Sequence, residues 1–424
     1  MKKKQIVFPL LLCLSLSSCG AQIVSSSASE KDPLTLNIWA TSKEQEVIDE
    51  VVASYNNTHT DQIAINFTHV TESDIYKEIS KDPKGNEAPD LFLTTDDVLI
   101  ELKKDNIAYN VEKQYGQIVK ANNYEAAVSA ATINNELYGF PLSCDNGYFL
   151  WYNPKFLSED DVTSIESILA KAKELGKKIN VSYSAWYLPM YFMSPQVCGL
   201  DSISYHEEDG SIVYDISWDN EKGVAAASYI TNIYKEYKGN YEFISTGEKG
   251  AWENETVIAS ITGTWMEQVY LEVVPNIKAT VLPKFNGDKQ MACFTGSKIY
   301  CINEAKLKDD KEGKLEKSLV LADLLTNKEG QLVRFEKRNT PPCNKEALKD
   351  KRYSENVSIG LNALVRQCEL ASAIQSRAIE RKFYDVGQVI SGAIYNNDIG
   401  QFADWSSFLN YQCSLLRGEG TLEQ

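Results

Sequence analysis

Apolar and polar residues alternate along several short stretches of the chain, and stretches with helical spacing follow them. Residues 34–41 (LTLNIWAT) alternate as a strand does, while residues 43–56 place their apolar side chains on one helical face. Residues 63–70 and 88–95 predict two more strands, and a short helix is expected near residues 97–104. Strands alternating with helices predict right-handed crossovers and a mainly parallel sheet, and therefore an α/β fold.

The middle of the chain is richer in aromatic residues. Residues 147–156 (GYFLWYNPKF) form a strand-like run, and residues 181–193 (VSYSAWYLPMYFM) place many rings in a short span. Residues 259–266 (ASITGTWM) predict a buried strand that leads through a glycine turn to a tryptophan. Further strands are expected at residues 278–285 and 298–303, and mostly helix is expected after them.

The chain begins with a basic segment followed by an apolar one. Lys2, Lys3 and Lys4 precede an apolar run at residues 6–16, which is too short to span a bilayer as a helix of about 20 residues. This arrangement is typical of a secretory signal peptide. The serine-rich stretch that leads to Pro33 has no apolar periodicity and is typical of a flexible tether.

Composition limits the classes of function. The chain has 424 residues, of which 43% are hydrophobic, so two or three domains with sizeable cores are expected. The formal net charge is −16 at pH 7, and it is more negative once the lysines of the leader are removed. Such a surface repels nucleic acid and anionic lipid, which argues against a nucleic-acid-binding role.

Cysteine and histidine usage argues against a metal site. The chain has nine cysteines and three histidines, without the CxxC spacing that is typical of zinc sites. When Cys13 of the leader and Cys19, which follows the leader, are set aside, an odd number of cysteines remains. At least one thiol is therefore free or paired between molecules. Scattered buried thiols are the favoured interpretation, and one or two disulfides are the alternative. These cysteines are Cys144, Cys198, Cys293, Cys301, Cys343, Cys368 and Cys413.

The end of the leader carries a lipidation signal. Residues 16–19 (LSSC) resemble the bacterial lipobox, in which the cysteine receives a diacylglyceryl group and the chain is cut just before it. The resemblance implies a signal peptide at residues 1–18, a lipidated Cys19, and a tether at residues 19–33 that holds the protein on the outer side of the cell membrane. The alternative is an ordinary signal peptide whose small residues include a cysteine.

Several further motifs follow one another along the mature chain. They are LTLNIWATSKEQEVIDEVVASYNNTH, EAPDLFLTTDDVLIELKKDNI, LYGFPLSCDNGYFLWYNPKF, ITGTW, VLPKFNG, FTGSKIYCIN and LLTNKEGQLVRFEKRNTPPCNKEAL. In this order they resemble segments of the solute-binding lipoproteins of bacterial ABC importers, in the carbohydrate-binding group that includes maltodextrin-binding proteins. Each motif alone is a weak signal, but the ordered set behind a lipobox is specific.

The resemblance implies a two-lobed periplasmic-binding-protein-like fold with a hinge and an interlobe ligand cleft. The first lobe would hold residues 34–140 and 288–335. The second lobe would hold residues 141–287 and 336–424. Ligand would bind in the cleft, and the lobes would close on it by hinge motion.

Aromatic residues are expected at the cleft because their rings bury the C–H faces of sugars. Trp265 is the favoured stacking platform, since the preceding glycine turn lets the backbone approach a ligand, although a core tryptophan is the alternative. Maltodextrin binders tend to have tryptophan where this chain has Phe383 and Tyr384, which leaves the size and identity of the sugar open. The resemblance places aromatic contacts at Trp39, Trp186, Tyr187, Trp265, Phe383 and Tyr384.

Polar residues are expected to bind the sugar hydroxyls. Lys43 and Glu44 have an alternative interpretation as exposed residues at a helix start, and Asp96 or Asp97 has one as a helix cap. The Asx-Gly sequence at Asn146 is also typical of a simple turn. The resemblance places polar contacts at Thr41, Lys43, Glu44, Asp97, Asp145 and Asn146, together with Tyr148.

The function implied is that of an extracytoplasmic sugar-binding component of an ABC importer. The expected partners are a mono- or oligosaccharide, the transmembrane subunits of the permease, and the membrane through the lipid anchor. The protein is expected to be a monomer without cofactor, metal or catalytic activity.

Rival functions remain open at this point. They are a binding protein for a peptide, a polyamine or another polar solute, a bacterial surface adhesin, and a secreted glycoside hydrolase. A hydrolase needs two carboxyl groups about 5 Å or about 6.5–9.5 Å apart, which adjacent pairs such as Asp96-Asp97 do not provide. No GxSxG, HExxH or GxGxxG motif is present either.

Overall fold

The computed structural model describes residues 33–72, 74–208, 211–242, 248–375 and 381–419. Two large β-sheets organise this part of the chain. The strands, in chain order, are β1 (Leu34–Ala40), β2 (Ile63–His69), β3 (Leu91–Thr95), β4 (Thr132–Ile133), β5 (Glu136–Leu137), β6 (Phe140–Asn146), β7 (Phe149–Tyr152), β8 (Lys178–Asn180), β9 (Ile203–Glu208), β10 (Ser211–Ile216), β11 (Tyr241–Glu242), β12 (Val257–Thr262), β13 (Lys278–Thr280), β14 (Lys284–Phe285), β15 (Lys289–Gln290), β16 (Cys293–Ile302) and β17 (Ser372–Ile374).

Helices connect the strands and cover the sheets. They are α1 (Gln45–Asn56), α2 (Ile75–Ile79), α3 (Leu99–Lys104), α4 (Glu112–Asn122), α5 (Glu125–Ala130), α6 (Ile165–Glu174), α7 (Pro189–Phe192), α8 (Glu221–Glu236), α9 (Glu248–Glu253), α10 (Glu267–Val273), α11 (Glu304–Leu307), α12 (Lys314–Thr326), α13 (Lys328–Arg338), α14 (Lys351–Ser354), α15 (Ile359–Leu370), α16 (Arg381–Asn396) and α17 (Trp405–Arg417). Short 3-10 turns cover Ser42–Glu44, Asp96–Val98, Asp161–Thr163, Ala185–Tyr187 and Thr264–Met266.

The first sheet has the strand order β17-β16-β3-β1-β2, with β6 also paired to β16. Strand β1 pairs in parallel with β2 and β3, as the alternation of strands and helices predicts. Strand β16 instead runs antiparallel to β3 and β6, because it enters this sheet from the other half of the molecule. The sheet is therefore mixed, whereas a mainly parallel one was expected.

Helix α1 shows how the apolar pattern produces this packing. The face predicted from the helical spacing is the face that is buried against the first sheet, so the prediction is confirmed. The buried residues of α1 are Val47, Ile48, Val51, Val52 and Tyr55.

The second sheet has the strand order β11-β8-β12-β7-β13 and a separate apolar core. Strand β12 is buried along its whole length, as predicted, and it runs antiparallel to β7 and parallel to β8. Helices α16 and α17 contribute buried side chains to the same core, so the C-terminal end of the chain covers the second sheet.

Strands β6 and β16 cross between the two halves, and we call them the crossing strands. The first residues of β16, including Phe294, belong to the core of the second sheet, while Ile299 and the residues after it belong to the core of the first. In the same way Leu142 of β6 lies in the first core and Tyr148, just after β6, lies in the second. The change of core in β16 thus falls after Phe294, further along the chain than the expected position at residue 288.

Part of the predicted organisation lies outside the described residues. The signal peptide, the lipidated Cys19 and the tether up to residue 32 belong there. Among the described helices, none combines the length and apolar character needed to cross a bilayer.

Cys301 and Cys413 are buried free thiols, in keeping with the favoured interpretation of the cysteines.

Candidate functional site

A cavity of about 740 Å³ opens where the crossing strands pass between the two sheets. We call it the interlobe cavity. It is lined by Lys43 from the turn after β1, by Asp145 and Lys298 from the crossing strands, by Thr264 from the turn after β12, and by residues 336–341. This volume lies within the range of small-molecule sites, and both halves of the molecule contribute to the walls. Two of the predicted site residues, Lys43 and Asp145, meet here.

Trp265 stands beside this cavity, directly after Thr264 in the turn Thr264–Met266. Its side chain is unusual for a tryptophan because 52% of its surface is exposed. The ring lies over Gly263, where a Cβ atom would come within 2.0 Å of the ring carbon Cζ3, so any larger residue at this position would displace the indole from where it lies. This exposure excludes the alternative of a core tryptophan and leaves an indole face accessible from solvent.

Trp186 and Tyr187 form a second aromatic group on the turn Ala185–Tyr187, and both rings are half-buried. The Trp186 ring lies 5.1 Å from Phe294 of β16, and the Tyr187 ring lies 4.6 Å from Tyr148, measured between centroids. Burial raises the pKa of Tyr187 to about 12, which keeps its hydroxyl protonated at neutral pH. Tyr148 itself is fully buried, so its predicted contact with ligand is wrong, and its ring supports Tyr187 from behind.

Phe383 and Tyr384, the last predicted aromatic pair, separate in the structure. Phe383 is buried against Trp218 and Phe294, at centroid distances of 5.9 Å in both cases, so the prediction of a ligand contact at Phe383 is wrong. Tyr384 is half-buried, and its pKa is raised to about 12 by burial and by the nearby carboxyl groups of Asp97 and Asp96. Tyr384 therefore lies where the C-terminal half of the molecule approaches the end of β3.

Glu44 does not face the interlobe cavity, contrary to the prediction. It is fully buried and accepts hydrogen bonds from Nη2 of Arg334 at 3.0 Å and from the hydroxyl of Tyr300 at 3.1 Å. Arg338 completes the ion pair from the end of α13. These partners compensate the buried charge of Glu44, which therefore joins α1 to α13 in place of binding a ligand.

Asp96 and Asp97 follow β3 and take different roles. Asp96 is fully buried, and its Oδ1 accepts from the backbone N–H of Ser297 at 3.1 Å and from Nε2 of Gln375 at 3.4 Å. Burial, reinforced by the charge of Asp97, raises the pKa of Asp96 to about 8. Asp97 is only half-buried and accepts from the hydroxyl of Thr95. Neither carboxyl group caps the helix that begins here, so the capping interpretation is wrong.

The remaining predicted residues lie around the ends of β1 and β6. Lys43 is exposed on the wall of the interlobe cavity, and Asn146 is exposed at the end of β6, where it pairs with Gly296 of β16. Trp39 and Thr41 are half-buried, and within the described residues their Nε1 and Oγ1 atoms are buried polar atoms without a hydrogen-bond partner. Such atoms are uncommon in folded proteins and mark the end of β1 as a place of unused hydrogen-bonding capacity.

Lys298 is a residue of this site that the sequence reasoning missed. Its Nζ lies 2.8 Å from Oδ2 of Asp145, so the pair joins the two crossing strands at the cavity. The available signal was a lysine inside the otherwise uncharged strand β16.

A second cavity of about 830 Å³ lies elsewhere, between the α4–β5 region and the segment that includes Asp201 and Tyr205. Its lining is mostly polar, with Lys120, Asn134 and Asn135 among the side chains. None of the predicted site residues lines it. The sizes of the two cavities therefore do not show which one binds a ligand. The side chains that line each cavity have to decide.

Comparison with known proteins gives relatives over most of the chain. A galactooligosaccharide-binding protein of Bacillus subtilis (strain 168) is 23% identical over 367 residues, which cover 82% of this chain and 83% of the relative. A maltooligosaccharide ABC transporter solute-binding lipoprotein of Streptococcus pneumoniae (strain ATCC BAA-255 / R6) is 24% identical over 371 residues, which cover 84% of this chain and 82% of the relative.

The architecture also matches solved structures. A maltodextrin-binding protein from L. casei BL23, determined without ligand, superposes with a TM-score of 0.73 at 16% sequence identity, covering 91% of this chain and 100% of that one. Together with the two sheets and crossing strands, this likeness shows the two-lobed α/β fold. The model of the bacterial extracellular solute-binding proteins matches residues 50–360. The chain therefore belongs to the bacterial extracellular solute-binding protein family.

Proposed function

We propose that this protein is the extracytoplasmic sugar-binding component of a bacterial ABC importer. It captures an oligosaccharide in the interlobe cavity and delivers it to the transmembrane subunits of the permease, without catalysing a reaction. The observation that carries the proposal is the exposed indole of Trp265 beside a cavity lined by charged and polar side chains. Such a combination matches sugar, whose rings have apolar faces and hydroxyl edges.

The names of the relatives support the same class of ligand. One is named for binding galactooligosaccharide and another for binding maltooligosaccharide. The two sugars differ in stereochemistry, so this support extends to oligosaccharides as a class. The ligand-binding set we propose excludes the buried Glu44, Tyr148 and Phe383. It comprises Trp39, Thr41, Lys43, Asp97, Asp145, Asn146, Trp186, Tyr187, Trp265 and Tyr384.

The proposed mechanism is closure of two lobes around the ligand. The proposed lobes are residues 34–140 with 288–335 and residues 141–287 with 336–424, except that Leu142 goes with the first core and residues 291–294 go with the second. The lobes rotate about the crossing strands β6 and β16. Ligand selects the closed state, which the permease then recognises. X-ray scattering of the monomer should show a smaller radius of gyration at ligand saturation, and an unchanged curve would contradict the rotation.

We also propose that lipidated Cys19 anchors the protein to the outer face of the cell membrane. The motivating observation is the lipobox-like LSSC at residues 16–19, and one relative is named a lipoprotein. Replacing Cys19 with alanine should release the protein or leave an uncleaved precursor. Fully processed Cys19→Ala protein that still fractionates with membranes would contradict the anchor.

A thermal-shift screen tests the proposed function. Maltooligosaccharides and galactooligosaccharides come first, followed by monosaccharides, peptides and polyamines. A ligand at about 100 times its Kd stabilises the folded state by about 2.7 kcal/mol, which gives a clear rise in Tm. Stabilisation by a peptide or polyamine, with none by any saccharide, would replace the proposal with another solute. Release of shortened sugar products would indicate a glycoside hydrolase.

A further inference from the structure

Lys298 lies on the crossing strand β16 and lines the interlobe cavity. Of the residues of β16 it alone is not fully buried. Its backbone pairs with Thr95 of β3 on one side and with Ser143 of β6 on the other, and the register with β6 shifts on both sides of Lys298. Strands on both sides therefore pair with the backbone of Lys298, so its ammonium group is presented from a strand and not from a loop.

The charges around Lys298 keep it protonated and leave part of its hydrogen-bonding capacity unused. Burial alone would lower the pKa of Lys298, but the carboxylates of Asp145 and Glu72 raise it above its ordinary value. An ammonium has three N–H donors. Within the described part of the chain Asp145 is its hydrogen-bond acceptor, at 2.8 Å, while Glu72 forms a longer ion pair at 3.9 Å. The other donors are available to a molecule in the interlobe cavity, which Lys298 lines.

We propose that Lys298 contacts the ligand, donating hydrogen bonds to saccharide hydroxyl oxygens while Asp145 accepts hydrogen bonds from them. The inference rests on the proposed function and adds a ligand-contacting residue to it. A hydroxyl group can accept from Lys298 and donate to Asp145 at the same time.

Two variants separate ligand contact from charge compensation. Lys298→Met removes both the donors and the counterion of two carboxylates, so it also destabilises the fold. Lys298→Arg keeps the positive charge and the pairing with Asp145, but it moves the donors and fills part of the cavity. The matched control is Lys278→Met, because Lys278 also lies on a strand and pairs with Glu159 at 2.7 Å, but does not line the interlobe cavity.

The test is a calorimetric titration of the purified protein and these variants, together with their melting curves. The probes are two neutral trisaccharides, maltotriose and galactotriose. We expect the unmodified protein to bind at least one neutral probe. Lys298→Met and Lys298→Arg should each raise the Kd for that neutral probe by about 10-fold or more, while Lys278→Met leaves it unchanged.

The outcomes of the titration distinguish a failure of the proposed function from a failure of the proposed role of Lys298. If the unmodified protein binds no neutral probe and no other saccharide, the proposed function and this inference both fall. If it binds a neutral probe and Lys298→Arg binds as tightly while folding normally, Lys298 acts only as a counterion and this inference alone falls. Unchanged affinity in a folded Lys298→Met variant would also overturn the proposed contact.

Discussion

The two sides of the interlobe cavity carry different chemistry. On the side of the second sheet, the turn after β12 contributes Thr264 to the lining and carries the exposed ring of Trp265 beside it. The turn after β1, the crossing strands and the end of α13 contribute the ionic groups of the lining, among them Lys43, Lys298 and Arg338. Rings contribute affinity by burying apolar sugar faces, whereas placed charges contribute orientation and selectivity. The comparison indicates that a ligand needs both halves at once, which couples binding to closure.

The largest effect on affinity is expected from the aromatic side. Trp265→Ala should raise the Kd for the best saccharide by about 30-fold or more, because a stacked tryptophan at the centre of an interface typically contributes 2 kcal/mol or more. Its Tm should change little, since the ring is largely exposed in the free protein. Calorimetric titration and a melting curve measure the two quantities.

Leu370→Ala is the matched control for Trp265→Ala, because Leu370 is exposed to a similar extent but lies at the end of α15. It should leave the Kd unchanged. If Trp265→Ala binds every saccharide normally, the stacking site lies elsewhere, and Trp186 becomes the leading candidate.

A smaller effect is expected from the ionic side. Asp97→Asn keeps the size of the side chain but removes the charge that strengthens hydrogen bonds from sugar hydroxyls, so the Kd should rise by about 5-fold. Asp160→Asn, at an exposed aspartate far along the chain in the turn before α6, serves as the control. An unchanged Kd in Asp97→Asn would mean that Asp97 does not contact the ligand.

Glu44 is also ionic, but we expect it to contribute to the stability of the fold and not to the affinity for ligand. Glu44→Ala leaves Arg334 buried without its counterion, which should cost about 3–5 kcal/mol of unfolding free energy. Asp49→Ala, at an exposed acidic residue of α1, the helix that begins directly after Glu44, should cost little. Urea unfolding measures both variants. Normal stability combined with lost affinity in Glu44→Ala would return Glu44 to the ligand-binding set.

The smallest effect on affinity is expected at Asp96, where the test is one of pH. The pKa of its carboxyl group is about 8 in the folded state, above the ordinary value of 3.8, so the folded protein holds a proton that the unfolded chain releases. Stability contributed by this group is therefore full below about pH 4 and is lost as the pH rises towards 8.

Asp96→Asn mimics the protonated form, so its stability relative to the unmodified protein should increase between pH 5 and pH 8. Urea unfolding at the two pH values measures this difference. An equal difference at both values would contradict the raised pKa.

Local patterns predicted the elements and part of the site. The apolar face of α1, the buried strand β12 and the glycine turn before Trp265 depend on residues within a few positions of each other, where periodicity and turn chemistry are informative. The turn that carries Trp265 was therefore predictable, whereas the exposure of its ring was not, and its contact with a ligand stays a prediction.

Long-range pairing explains what the sequence could not predict. Glu44 resembled an exposed residue at a helix start, but its partner Arg334 lies 290 positions away. Lys298 and Asp145 are separated by 153 positions. Phe383 and Tyr384 are neighbours whose different burial depends on how α16 packs onto the second sheet. Such contacts are set by the tertiary arrangement, and no local pattern specifies them.

A crystal structure of the protein with its tightest-binding saccharide would show directly where the ligand binds. We predict the sugar in the interlobe cavity, with one ring face stacked on the indole of Trp265 and hydroxyls bonded to Lys298 and Asp97. A saccharide bound in the cavity near Tyr205, with the interlobe cavity empty, would contradict it.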